Sequence, residues 1–153
     1  MIAPKEVETG MNVLSIGLQP EEQALVSTLC QEFGGKLHMA KDEIDMNHLA
    51  RETAVDLCIL AQSEAVSDPS YLVWLLRGIT SNYHIILIYS SLSEEETERL
   101  DRFEATMVLM RPLDREHLKE TIANIFSGKT EKRERFWHSL ARYLPFHRHV
   151  KVQ

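Results

Sequence analysis

Five short apolar runs separated by segments of helix length are what most narrows the folds open to this chain. They are Asn12 to Leu18 (NVLSIGL), Lys36 to Ala40, Asp56 to Gln62 (DLCILAQ), His84 to Ser90 (HIILIYS) and Thr106 to Met110. Runs this short and this uniformly apolar read as strands buried on both faces. The segments between them carry helix signals. From Pro20 to Phe33, the residues Leu25, Val26, Leu29, Cys30 and Phe33 fall on one arc; Pro20 suits a first helical turn, and Gly34-Gly35 can end the helix. A second helix is expected around Asp45 to Thr53. Asp68-Pro69 opens a third, with Asp68 placed to accept from orphan amides. Ser93-Glu94-Glu95-Glu96 matches a capping box for a fourth. Asp114 caps a fifth, whose stripe of Leu118, Thr121, Ile122, Ile125 and Phe126 stops at Gly128. Five strands alternating with five helices predict an α/β fold: a doubly wound parallel sheet, order 2-1-3-4-5, with right-handed crossovers. In such a sheet chemistry gathers beyond the carboxyl ends of the strands, between the first and the third.

The charge divides the chain in two. Of the 153 residues, those from Lys129 onward carry seven Lys/Arg against two acids, a net +5, and leave −11 on the body of a chain whose total is −6. The expected organisation is an N-terminal extension (1–11), a folded domain (12–128) and a basic tail (129–153). In the tail Phe136, Trp137, Leu140, Ala141, Tyr143 and Leu144 form one stripe, with Arg135, His138, Ser139 and Arg142 on the other side and Pro145 closing the segment. An additional C-terminal amphipathic helix is therefore predicted. The third helix is apolar almost all round: Tyr71, Leu72, Val73, Trp74, Leu75, Leu76 and Ile79 leave little polar outer face, so something is expected to cover it. The candidates are a second copy, a different partner or the chain's own tail.

The residues at the carboxyl ends of the strands carry a resemblance. NVLSIGLQPEE has the framing of a strand, two acids and a Pro-rich helix start, with Gly17 and Leu18 where the acids belong; DLCILA ends in Ala61; Ser90, or Tyr89 without a gap, closes the fourth strand; Arg111-Pro112 follows the fifth. This resembles the response-regulator receiver (CheY-like) superfamily, of flavodoxin-like architecture, with its chemistry removed. The resemblance covers residues 12 to 127 and implies that Ala61 stands where the phosphorylated aspartate belongs, and Arg111-Pro112 where the family has Lys-Pro. The aromatic switch position falls near Val108. Phosphoryl transfer to a carboxylate needs that nucleophile and a divalent ion held by hard oxygens, and Gly17, Leu18 and Ala61 supply no side-chain oxygen. The expectation is a degenerate pocket (Gly17, Leu18, Ala61, Ser90, Arg111, Pro112) without anionic ligands, in which Arg111 binds a loop carboxylate or a backbone carbonyl. Glu64 and Asp68 read as solvated loop and helix cap rather than substitute ligands, and Asp56 lies at the far end of its strand. The resemblance also implies a cis Arg111-Pro112 bond.

Other chemistry finds little support. Ser127-Gly128-Lys129-Thr130 ends like a phosphate-binding loop, but Ala123 stands where a glycine is needed and the segment follows a helix. His147 and His149 lack further metal ligands nearby. No Gly-x-Ser-x-Gly elbow is present. Cys30 and Cys58 lie in apolar stretches without CxxC spacing and read as small buried hydrophobes. The longest apolar run, Tyr71 to Leu76, is too short for a bilayer, and the first residues lack the order of a secretory signal, so the cytoplasm is the expected location. No cofactor, metal or enzymatic activity is expected. The reading is a phosphorylation-independent regulatory module acting through protein contacts, a second copy included. Its candidate surface comprises Tyr71, Trp74, Glu94, Glu95, Glu98, Asp101, Trp137, Leu140 and Leu144, the acids belonging to the face that receivers use for output. The alternatives are a small-molecule sensor using the emptied pocket, and a localisation or tethering factor. Nucleic acid is not expected as a partner, because the acidic body repels phosphate; peripheral membrane contact through the tail is the weaker expectation.

Overall fold

The computed structural model describes residues 11–79, 84–100 and 107–126. Ten elements alternate: β1 (Asn12–Ile16), α1 (Pro20–Glu32), β2 (Lys36–Ala40), α2 (Glu43–Glu52), β3 (Leu57–Ala61), α3 (Pro69–Arg77), β4 (His84–Tyr89), α4 (Glu94–Leu100), β5 (Met107–Met110) and α5 (Arg115–Phe126). The five strands make one parallel sheet in the order β2-β1-β3-β4-β5. The expected doubly wound fold is thus observed. The tail, with its predicted sixth helix, the loop resembling a phosphate-binding motif, and the candidate residues Asp101, Trp137, Leu140 and Leu144 lie outside the described residues.

Alternation along each strand builds two apolar layers. On one face Leu14, Cys58, Leu60, Ile85, Leu87, Tyr89 and Val108 pack against Met46 and Ala50 of α2, Leu72, Val73 and Leu76 of α3, and Leu100 of α4. On the other face Val13, Leu57, Ile59, Ala61, Ile86, Ile88 and Leu109 meet Val26, Leu29 and Cys30 of α1 and Leu118, Ile122 and Ile125 of α5. Each fully buried Leu or Ile in these layers contributes about 1.5–3 kcal/mol. β2 departs from the expectation that every strand is buried on both faces. It is an edge strand, and Lys36 and Met39 are exposed because no further strand covers its outer side.

The helix starts are held as their sequences predict. Asp68 Oδ1 accepts from the Ser70 amide at 3.2 Å and from the Ser70 hydroxyl at 2.7 Å. Ser93 and Glu96 form the reciprocal capping box, Ser93 N to Glu96 Oε1 at 2.8 Å and Glu96 N to Ser93 Oγ at 3.1 Å. Asp114 accepts from His117 N at 3.0 Å. α2 begins two residues earlier than expected because Asp42 caps it, accepting from Asp45 N at 2.8 Å while Asp45 accepts from Lys41 N at 2.9 Å. Both expected roles of the cysteines as buried hydrophobes hold: both are free thiols in the core. Burial pushes the Cys30 thiol up to about 11. It pushes Cys58 to about 12, against the opposing charge of Arg77.

Candidate functional site: a saturated crevice

The crevice beyond the carboxyl ends of β1, β3, β4 and β5 begins with a glycine. Gly17 leaves β1 at φ +87°, and a β-carbon there would overlap the Ala61 carbonyl oxygen. Only glycine combines that backbone angle with so close an approach of the two central strand ends. The chain then turns into α1, whose third helical residue is Glu22. Glu22 Oε1 accepts from the Gln19 amide at 2.9 Å, which fixes the carboxylate at the helix start and satisfies an orphan donor.

Arg111, immediately after β5, projects into the same crevice and is gripped by it. Its Nε donates to Glu22 Oε2 at 2.7 Å and its Nη2 to Glu22 Oε1 at 3.0 Å, a side-on bidentate pair. Nη1 donates to the Gln62 carbonyl at 2.6 Å and to Ser90 Oγ at 2.9 Å, and Nη2 reaches the Gly17 carbonyl at 3.4 Å. All five guanidinium N–H directions therefore have acceptors. The pair is well buried: the Arg111 side chain is 10% exposed and that of Glu22 8%. Gln62 completes the frame, its Oε1 accepting from Ser90 N at 2.9 Å and its Nε2 donating to the Ser67 carbonyl at 3.2 Å. One residue thus ties β1, β3, β4 and β5 together at their carboxyl ends.

This corrects the expectation of a crevice without anionic groups. Glu22 is there, and it was missed because its position reads simply as the acidic first turn of α1. Its spacing of three from Gln19, together with an otherwise unpaired Arg111, is the signal that could have found it. The expected partners of Arg111 are otherwise found, with the carboxylate coming from a helix rather than a loop. Ala61 lies buried in the layer under α1 and α5, ending β3 without a side-chain oxygen. Leu18 is packed in that same layer. Ser90, just after β4, is the residue whose side chain meets the Arg111 guanidinium, while Tyr89 meets Arg111 through its backbone carbonyl, which accepts from the Arg111 amide at 2.9 Å. Tyr89 turns into the opposite layer, where burial first and the charge of Asp68 second drive its phenol pKa upward. The Arg111-Pro112 bond is cis. Asp68 is engaged as the cap of α3, Glu64 is exposed in the preceding loop, and Asp56 accepts from Asn12 N at 2.8 Å at the opposite end of the sheet. Among the described residues no three His, Cys, Asp or Glu come together as a metal site would require.

The candidate interaction residues fall on two surfaces. Tyr71 and Trp74 stack on α3 with 6.2 Å between ring centroids, both exposed. Glu94, Glu95 and Glu98 are exposed on α4.

No family model and no curated protein matches the sequence. Solved structures do match. The signal receiver domain of an HD domain-containing protein from Pseudomonas fluorescens superposes with a TM-score of 0.69 at 18% identity, over 78% of this chain and 96% of that one. A two-component response regulator from Clostridium difficile gives 0.69 at 16% identity, over 79% and 99%. The chemotaxis protein CheY4 of Vibrio cholerae gives 0.64 at 22% identity, over 75% and 98%. At such identities the likeness establishes the fold, and that fold is the receiver fold. No helix among the described residues is long and apolar enough to cross a membrane.

Proposed function

We propose that the protein is a regulatory signalling module of the receiver type that works without accepting phosphate, by binding other proteins. One observation carries this reading: a guanidinium held by Glu22, Ser90 and two backbone carbonyls occupies the crevice in which the receiver resemblance places phosphoryl chemistry. β3 ends there in Ala61, where the resemblance puts the phosphate acceptor. Phosphorylation would require a carboxylate nucleophile and a divalent ion held by further oxygens. Among the described residues Glu22 is the one carboxylate bonded to Arg111, and both of its oxygens are already engaged.

The same geometry counts against the sensor reading, because an anionic metabolite has to displace Glu22 before it can reach Arg111. It favours output by contact instead. Glu94, Glu95 and Glu98 form an acidic exposed face on α4, suited to a partner with a basic surface. The test is intact-mass spectrometry after incubation with acetyl phosphate and magnesium. The expected spectrum is unchanged, and a single added phosphate overturns the reading.

A further inference from the structure

A groove of about 720 Å³ opens between α2 and α3, with Ile44, Trp74 and Leu75 as its apolar wall and Glu43, Arg51 and Arg77 along its rim. Ile44 is 82% exposed and Trp74 63% exposed, and Tyr71 stacks on the latter. A branched aliphatic chain and an aromatic plate thus face solvent along one cleft, the kind of surface that marks an interaction site.

We propose that the chain's own C-terminal segment, Phe136 to Leu144, seats in this groove. The first support is chemical. Phe136, Trp137, Leu140, Ala141 and Leu144 recur at helical spacing, so a helix there presents one apolar stripe, and a stripe of that kind is what the apolar wall of a groove between two helices accepts. The second is the tether. α5 ends at Phe126, whose ring meets His84 edge-on with 6.5 Å between centroids. His84 opens β4, the strand that follows α3, and α3 ends at Gly78 on the groove. The chain therefore leaves the described fold at the end of the sheet where the groove finishes. The residues 127–135 reach roughly 30 Å when extended, enough to pass from one helix layer to the other.

The acidic face of α4 is a poorer seat for the same segment. It offers Glu94, Glu95 and Glu98 to solvent, but its Thr97 and Leu100 are buried, so it can neutralise the tail's charge without covering its apolar stripe. Tethering favours seating within one chain over pairing of two, because a short linker holds the segment at an effective concentration on the order of millimolar. This inference stands apart from the question of phosphorylation.

The chain's two tryptophans, Trp74 and Trp137, make the test direct. In full-length Trp74→Phe, emission reports Trp137 alone. It is expected at the short wavelength of a buried indole, constant on dilution, and shifted to longer wavelength when Ile44→Glu is added. Ile44 is exposed, so that change leaves the core intact, which circular dichroism checks. In a second full-length variant, Asn47→Cys with Leu140→Cys is expected to form a disulfide within a single chain on mild oxidation; native Cys30 and Cys58 are buried and stay silent. Water-like Trp137 emission that ignores Ile44→Glu overturns the proposal. So does a disulfide that forms solely between chains, or emission that reddens on dilution, either of which makes a second copy the occupant.

Discussion

At the carboxyl edge of the sheet the strong polar groups are matched to one another; between α2 and α3 large apolar groups face water. Arg111 has an acceptor for each donor and lies almost wholly inside the crevice. Trp74 and Ile44 are among the most exposed large hydrophobic residues described. The contrast teaches that the crevice at the strand ends and the surface open to apolar contact are separate places in this fold. A ligand entering the first region must break an ion pair that low dielectric strengthens, whereas one entering the second only releases water from apolar surface.

The largest expected effect breaks the saturated side. Arg111→Met leaves the Glu22 carboxylate buried without its cation, and Glu22→Leu leaves the guanidinium without its anion. Removing one partner of a buried pair costs about 3–5 kcal/mol. Removing both, in Glu22→Leu with Arg111→Met, is expected to restore much of the loss, since apolar replacements of similar volume lift the desolvation penalty from each charge. Urea denaturation of the four proteins forms a double-mutant cycle. Single losses below about 1 kcal/mol, the range of exposed pairs, would mean that the crevice is not the clamp described here.

Next in size is the backbone of the same crevice, with a glycine elsewhere as its control. Gly17→Ala must hold alanine at φ +87° and push its β-carbon into the Ala61 carbonyl, an expected loss of about 3 kcal/mol. Gly34 has φ +76° but open space around it, so Gly34→Ala is expected to cost about 1 kcal/mol, from conformation alone. Equal losses in thermal or urea unfolding would remove the argument that β1 and β3 are in forced contact at their ends.

The same two regions explain what could be read in advance. Strand order and helix starts were legible because buried parallel strands are uniformly apolar and because Asp68, Ser93 and Asp114 announce caps by their spacing. Even the end of β3 without a side-chain oxygen, Ala61, stood in the sequence. Glu22 did not stand out, since a glutamate in a helix's first turn usually does no more than complement the helix dipole. Its second role depends on Arg111, 89 residues away, and only the folded crossovers bring the two together. The half-exposed character of β2 was equally hidden: Lys36 to Ala40 is edge or centre according to the order of the other strands, not its own composition.

The layers beneath these two regions predict a loss of stability at alkaline pH. Burial raises the thiol of Cys30 from 9.0 to about 11 and that of Cys58 from 9.0 to about 12. Each thiol stays protonated in the folded state while the unfolded chain releases its proton above 9.0. The contribution is complete below that value and is lost as pH rises toward 11 and 12. One pH unit above the unfolded value, each thiol accounts for about 1.4 kcal/mol. Comparing denaturation at pH 8 and 10 for the parent and for Cys30→Ala with Cys58→Ala isolates the term, because the slope between the two pH values should be shallower in the variant. An identical slope would place both thiols within reach of water.

The smallest expected effect repeats the crevice's chemistry at the surface. Arg115 Nη2 lies 2.6 Å from Glu32 Oε2, a contact as short as any at Arg111, but its side chains are 42% and 35% exposed and Lys119 Nζ also reaches Glu32 at 3.3 Å. Water and salt screen both partners, and Lys119 remains when the arginine is removed. Arg115→Ala is therefore expected to cost about 0.5 kcal/mol or less, and the difference should shrink further in high salt. The paired measurement matters more than either alone. If Arg115→Ala and Arg111→Met cost the same, distance governs these ion pairs; a several-fold difference shows that burial does, and that the crevice is closed by the cost of exposing a charge it has already matched.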